Sequence, residues 1–271
     1  MAGPVPSDPA QTSERSGMEP EISFIMPCYN EAEVIPYTIP RFVEAFRRED
    51  VRVELVACDN GSRDRTGEIL EDFVRQGLPV VAHRVETNLG YGNGVLQSLG
   101  LCRAPWIGII PADGQVDAED AVRLFQSVRY SDGRTLGKVY RRFRLDGPLR
   151  SVVSFLYNAF MRLLWPRIGT FDVNGSPKIV HRDVLRRMQL ESRDWLLDPE
   201  MLIKASYLGI RVLEMNVFAR MREHGTSHVR AATAFEFVRR LLAFKFGGLA
   251  AWRRSLGKDP GPAREVAGAP R

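Results

Sequence analysis

Three short segments concentrate carboxylates and side-chain amides: Met26-Pro27-Cys28-Tyr29-Asn30-Glu31, Cys58-Asp59-Asn60-Gly61-Ser62-Arg63-Asp64 and Ala112-Asp113-Gly114-Gln115. Carboxylate oxygens accept strong hydrogen bonds from hydroxyl and N–H groups of a polar ligand. They are also hard donors for a divalent cation. Farther along, Asp198-Pro199-Glu200 offers two carboxylates that could act as a general base, or simply cap a helix. Arg141, Arg142, Arg144 and Arg150 form a basic stretch suited to phosphate, or to solvent alone. Arg222-Glu223-His224-Gly225-Thr226-Ser227-His228 adds further anion-binding types. His228 titrates near neutrality, so its charge there would depend on pH.

Each of the first three segments follows an apolar, strand-like run: Ile22–Met26, Val53–Ala57 and Trp106–Ile110. In an open α/β sheet, ligands bind beyond the carboxyl ends of such strands. The segments are therefore expected to share one cleft. Between the runs, 31–48 and 64–76 read as helices, with Ile69, Leu70, Phe73 and Val74 at helical spacing in the second. Pro36 and Pro40 disturb the start of the first. Residues 79–83 read as a third strand, and 95–102 as a helix after the Gly-rich turn 88–94. Strands alternating with helices imply a mostly parallel sheet. Beyond residue 130 the pattern predicts strands near 138–140, 173–180 and 211–217. It predicts helices over 149–165, 183–188, from Asp198 to Gly209, and over 235–254. Asp198 is expected as the N-cap of its helix, with Pro199 at the first helical position.

The order and wording of these motifs resemble family 2 glycosyltransferases of the GT-A fold, especially the polyprenol- and dolichol-phosphate mannosyltransferases. The resemblance runs from Ile22 to Val229. It implies a GT-A, Rossmann-like α/β fold: a mostly parallel sheet flanked by helices, with C-terminal helices on the acceptor side. It implies a nucleotide-sugar donor (GDP- or UDP-sugar) held by Pro27, Tyr29, Glu31, Asp59, Gly90 and Asp113. It implies Mg2+ or Mn2+ on Asp113 and Gln115, where the family often carries a further acid at the position of Pro111. Asp113, Asp198, Glu200 and Arg142 are the implied catalytic residues. Arg222, Ser227 and His228 match a segment that binds a polyprenyl phosphate acceptor, with His228 where a lysine is usual. Transfer with inversion is the implied outcome. Gly90, Gly92 and Gly94 are spaced GxGxG and follow the third strand, which does not fit a dinucleotide fingerprint.

The chain has 271 residues and a formal net charge of +5, with 44% hydrophobic and 26% charged residues. That is a globular composition with room for a substantial core. The basic balance favours a phosphate-rich ligand or an anionic membrane surface. No nucleic-acid module accompanies it. Cys28, Cys58 and Cys102 match no zinc or CxxC spacing and read as buried free thiols. No apolar run approaches the roughly 20 residues needed to span a bilayer, and no apolar leader opens the chain. A cytoplasmic setting, peripheral at the inner membrane face, follows as the expectation. The organisation expected is an arm over 1–20, a catalytic domain over 21–230, an amphipathic helix over 231–256 and a tail over 257–271. Within the domain, a donor half covers 21–128 and an acceptor half 129–230. Two alternatives stay open: a soluble hydroxyl acceptor, and a silent sugar-nucleotide-binding module. Residues 149–165 and 235–254 carry apolar faces broad enough for a lipid interface, or for a core or dimer seam.

Overall fold

The computed structural model describes residues 19–144, 148–219 and 231–256. Apolar runs set the sheet. β1 (Ile22–Cys28) and β2 (Val53–Asp59) are buried almost throughout, as strands covered on both faces must be. β3 (Val80–Arg84) lies outside β2, and β4 (Trp106–Ile109) pairs parallel on the other side of β1. The second half adds β5 (Thr135–Arg144), β6 (Lys178–His181) and β7 (Arg211–Ala219). The seven strands run in the order β3-β2-β1-β4-β6-β5-β7. β6 is antiparallel to both β4 and β5, whereas β7 is parallel to β5.

Helices cover both faces. α1 (Ile35–Arg48) and α2 (Thr66–Arg75) lie on one face with α4 (Ala118–Val128). α3 (Tyr91–Ser98), α5 (Pro148–Leu164), α6 (Arg182–Met188) and α7 (Leu197–Tyr207) lie on the other. α8 (Ala231–Ala243) and α9 (Leu249–Ser255), joined by a π-helical turn over Phe244–Gly248, close that second face. Alternation along the strands divides the core accordingly. Phe24 and Leu55 point into the first apolar cluster, Ile25 and Val56 into the second. Phe24, Phe42 and Phe46 make an edge-packed aromatic group at the centre of the first.

Several boundaries differ from expectation. The first helix starts at Ile35, because residues 32–34 are used by a turn stitched to the second motif. Pro36 then falls in the first turn, where a missing N–H costs nothing. α4 was not anticipated, although Ala121, Val122, Leu124, Phe125 and Val128 all bury. α3 begins at Tyr91 instead of Val95, so its first turn includes Gly92 and Gly94. α7 begins at Leu197, after Leu196 and without a side-chain cap. Asp198 therefore lies inside the first turn and is not the N-cap. The C-terminal helix is interrupted where Gly247 and Gly248 sit in the π turn.

Candidate active site

The sheet brings the first two motifs into register. Cys28 pairs with Asp59 across β1 and β2, and the N–H of Asn60 donates to the Cys28 carbonyl at 2.8 Å. Side chains then lace the two loops together. Asn30 donates its N–H to Ser62 Oγ at 3.0 Å and accepts from the Arg63 N–H at 2.9 Å. The Glu31 N–H donates to Thr66 Oγ1 at 2.9 Å, and the Ala32 N–H to Asp64 Oδ2 at 3.1 Å. Asn30 adopts a positive φ of 55°, which asparagine tolerates better than most side chains. Asp59 is buried, and its Oδ1 accepts from the Ser62 N–H at 2.8 Å.

The electrostatics report the same gathering. Burial, then the charges of Glu31, Cys58, Asp59 and Asp64, push the Cys28 thiol well above its ordinary value. Burial also works to raise the Asp64 carboxyl. Hydrogen bonds from Thr66 and Ala32 outweigh it and hold Asp64 below the usual range. Glu31 and Asp59 thus share one end of the sheet as the sequence predicts. Pro27 is half-buried on β1, and Tyr29 is exposed beyond it.

The third motif reaches the same edge along β4, since β4 runs parallel to β1 and the Ile110 N–H donates to the Ile25 carbonyl at 3.0 Å. Asp113 Oδ1 accepts from the Gln115 N–H at 3.2 Å in a tight turn. Pro111 and Asp113, with Glu33, Tyr37 and Asp117, line a cleft of about 180 Å3 against the start of α1. Sequence reading missed Glu33 and Asp117; only their position after the motifs could have marked them. Among the described residues, no three His, Cys, Asp or Glu side chains are grouped to hold a metal unaided. Asp113 and Gln115 remain hard oxygen donors on a partly exposed turn. That suits a cation completed by a ligand's own phosphate oxygens and water. A larger cavity, about 540 Å3 and lined by Trp106, Arg129, Arg134, His181 and Arg187, opens at the opposite edge and is no part of this site.

Gly90 and Gly92 serve close packing. A Cβ on Gly92 would stand 2.3 Å from the Ser192 carbonyl oxygen, and one on Gly90 2.6 Å from that of Arg193. The segment 189–196 therefore crosses directly over the start of α3. There the Asn93 N–H donates to the Arg193 carbonyl at 2.7 Å, and Trp195 stacks on Tyr91 with centroids 5.1 Å apart.

Glu200 anchors that segment. Its carboxylate accepts from the N–H groups of Glu191 at 3.0 Å and Ser192 at 2.8 Å, and it pairs with Lys204, which also donates to the Gln189 carbonyl at 2.7 Å. With both oxygens engaged and the residue buried, Glu200 holds the strap in place of offering a free base. Asp198 is different. Its Oδ1 is 2.8 Å from Lys178 Nζ, both residues being buried. Burial and then the Asp198 charge push the Tyr91 and Tyr157 phenols up, so both rings lie near it. The Tyr157 hydroxyl is buried without a protein hydrogen-bond partner among the described residues. Sequence pattern gives no sign of Lys178 or Tyr157, because a lysine in a strand and a tyrosine in a helix read as surface and core.

The basic stretch is partly committed. Arg141 grips Asp172 with two hydrogen bonds, at 2.8 and 2.9 Å. Lys138 is fully buried against Glu214 at 2.9 Å and the Val139 carbonyl at 2.9 Å. Burial pushes its amine down to about 8 against the pull of Asp172 and Glu214. At Arg142 the β5–β7 register shifts by one residue, a bulge. The Arg142 side chain lies outside the described residues, as do Arg222, Ser227 and His228.

Comparison with known proteins meets this geometry. Residues 23–189 match the family model "Glycosyl transferase family 2". An uncharacterized glycosyltransferase of Mycobacterium tuberculosis is 25% identical over 208 residues, 77% of this chain and 89% of that protein. Undecaprenyl-phosphate 4-deoxy-4-formamido-L-arabinose transferase of Proteus mirabilis is 24% identical over 209 residues, 76% of this chain and 62% of the relative. Among solved structures, glucosyl-3-phosphoglycerate synthase from Mycobacterium tuberculosis, in complex with Mn2+, UDP and glucosyl-3-phosphoglycerate, superposes with a TM-score of 0.59 at 18% identity. The match covers 95% of this chain and 87% of that one. At that identity the likeness is one of fold.

Proposed function

The chain belongs to glycosyl transferase family 2, and from that premise we propose that it moves a sugar from a nucleoside-diphosphate donor to a polyprenyl phosphate. The observation that carries the donor half is the gathering of Glu31, Asp59 and Asp113 at the carboxyl edge of β1, β2 and β4. Glu31 and Asp59 orient base and ribose by accepting their N–H and hydroxyl protons. Asp113 and Gln115 are the residues that would hold Mg2+ or Mn2+, which when bound supplies charge neutralisation for the departing diphosphate. An acceptor phosphate oxygen forms the new bond to the anomeric carbon as the bond to the donor's β-phosphate breaks. The nucleoside diphosphate leaves with its electron pair, and configuration inverts.

A phosphate is already anionic and needs no proton removed, which agrees with Glu200 being occupied by the strap. Relatives that act on undecaprenyl phosphate support this acceptor class. The test is a donor panel with a short-chain, water-soluble prenyl phosphate, read by mass spectrometry with and without Mn2+. Asp113→Ala is expected to lower metal-stimulated turnover at least a hundredfold while shifting Tm by less than about 2 °C, because the turn is partly exposed. Unchanged turnover at saturating Mn2+ would remove Asp113 from the site. Asp198→Asn is expected to leave kcat within a fewfold. A collapse of kcat with Asp198→Asn would move the reading to a hydroxyl acceptor that needs a base.

A further inference from the structure

We propose that the outer face of α5, with the adjoining π turn, is a docking surface for an anionic lipid bilayer. The helix is packed the opposite way from an ordinary surface helix. Its polar residue Asn158 is buried. There Oδ1 accepts from the Val173 N–H at 2.9 Å, and Nδ2 donates to the Ser154 carbonyl at 2.9 Å. Met161 and Trp165 bury beside it. Val152, Leu156 and Leu163 fall on one outward line at helical spacing, flanked by Val153 and Phe155. Each is more than half exposed, Phe155 at 65% and Leu163 at 77%.

The surface continues past the helix. Lys245 donates to the Leu164 carbonyl and sits 5.5 Å over the Trp165 ring, which places the π turn against the end of α5. The next residue, Phe246, is 77% exposed. Phe171, 61% exposed, lies under the Arg162 guanidinium at 5.2 Å. Exposed apolar side chains gathered in this way mark an interaction surface.

Charge selects the occupant. Residues 148–171 and 243–256 contain no Asp or Glu, while Arg162, Arg167, Lys245, Arg253 and Arg254 lie among them. Aliphatic and aromatic groups carried on two segments whose charged residues are all basic match an anionic headgroup layer. Two copies meeting through this face would bring like charges together. No helix of the described residues is long and apolar enough to cross a membrane, so contact is with one leaflet. The inference rests on the lipid-phosphate reading for its purpose, since such docking would bring the active site to a bilayer-embedded acceptor.

Co-sedimentation of the full chain, without donor, with phosphatidylglycerol–phosphatidylcholine vesicles tests it. Binding is expected to exceed that to pure phosphatidylcholine at least tenfold at low salt, and to weaken as salt rises. Phe155→Ser with Leu163→Ser, both exposed, should lose at least tenfold in partitioning with Tm unchanged. Their turnover on the water-soluble prenyl phosphate should stay at the parent level, which separates failure of docking from failure of transfer. No vesicle binding by the folded parent chain overturns the proposal, as does undiminished binding by the double variant. A dimer in light scattering that the double variant abolishes, without vesicle binding, reassigns the face to a second copy.

Discussion

At the scale of single residues, carboxylates that look alike in sequence take quite different partners in the fold. Asp198 and Glu200 stand two apart and look equivalent in sequence. One faces Lys178 and two buried phenols; the other is spent on two backbone N–H groups and Lys204. Sequence offers no basis for that distinction, because it depends on which segment crosses above the helix. The thiols were legible: Cys28, Cys58 and Cys102 are free and buried. Burial raises all three, Cys58 to about 11 and Cys102 to about 12. An unfolded thiol ionises near 8.5, so the folded state keeps these protons to higher pH and loses stability as pH rises above about 8.5. By pH 9.5 Cys58 and Cys102 each contribute a loss on the order of 1–2 kcal/mol, and Cys28 adds a loss in the same direction. Lys138 acts the other way. Lowered to about 8, it deprotonates earlier in the folded state and returns about 2 kcal/mol by the same pH. Three thiols against one amine leave a net loss of stability between about pH 7.5 and 9.5. Urea unfolding at the two pH values measures it. In Cys58→Ala/Cys102→Ala the difference should vanish or reverse, and an unaltered loss would assign the pH dependence to other groups.

At the scale of elements, the parallel strands and their motif-bearing ends were readable because burial on both faces leaves unbroken apolar runs. The strap over 189–196 was not, because nothing in its own sequence says what it covers. Its trace in the sequence is indirect: glycines at 90 and 92, which admit the Ser192 and Arg193 carbonyls at close range. A side chain at position 92 must push the strap away. Gly92→Ala is therefore expected to cost about 1–3 kcal/mol and to change the emission of Trp195, which stacks on neighbouring Tyr91. Gly100→Ala, where an added methyl meets nothing within 4 Å, is the matched control and should be nearly neutral. Equal behaviour of the two variants would show that the strap yields without cost. The orientation of α5 was also hidden. Ser154, Asn158 and Arg162 recur four apart as a narrow polar stripe, yet periodicity alone does not say which side meets water, and here Asn158 turns inward.

At the scale of the whole molecule, the division into a donor half and an acceptor half has no seam in the sheet. β4 of the first half pairs directly with β6 of the second, and the Arg182 guanidinium donates to the Ala104 and Cys102 carbonyls across that boundary. The first apolar cluster unites Phe24, Leu55 and Phe125 with Val139, Ile179 and Val217. Function gives a reason for such continuity. On the proposed function, a donor held at the ends of β1, β2 and β4 and an acceptor selected by later residues would have to meet within a fraction of an ångström, which a hinged pair of domains would not ensure. Cutting after Val128 would expose the β4 edge and remove the apolar partners of Trp106 and Phe125, an unpaired strand edge of the kind that aggregates. The expected behaviour is one cooperative unfolding transition. Far-UV circular dichroism should coincide with tryptophan emission, compared between the parent chain and Trp106→Phe. That variant removes the one tryptophan of the first half and leaves Trp165, Trp195 and Trp252. Coincident midpoints in urea, and a 19–128 fragment without a cooperative transition, are the predicted results. Two separated transitions, or a fragment that melts sharply on its own, would show that the two halves of the chain fold apart.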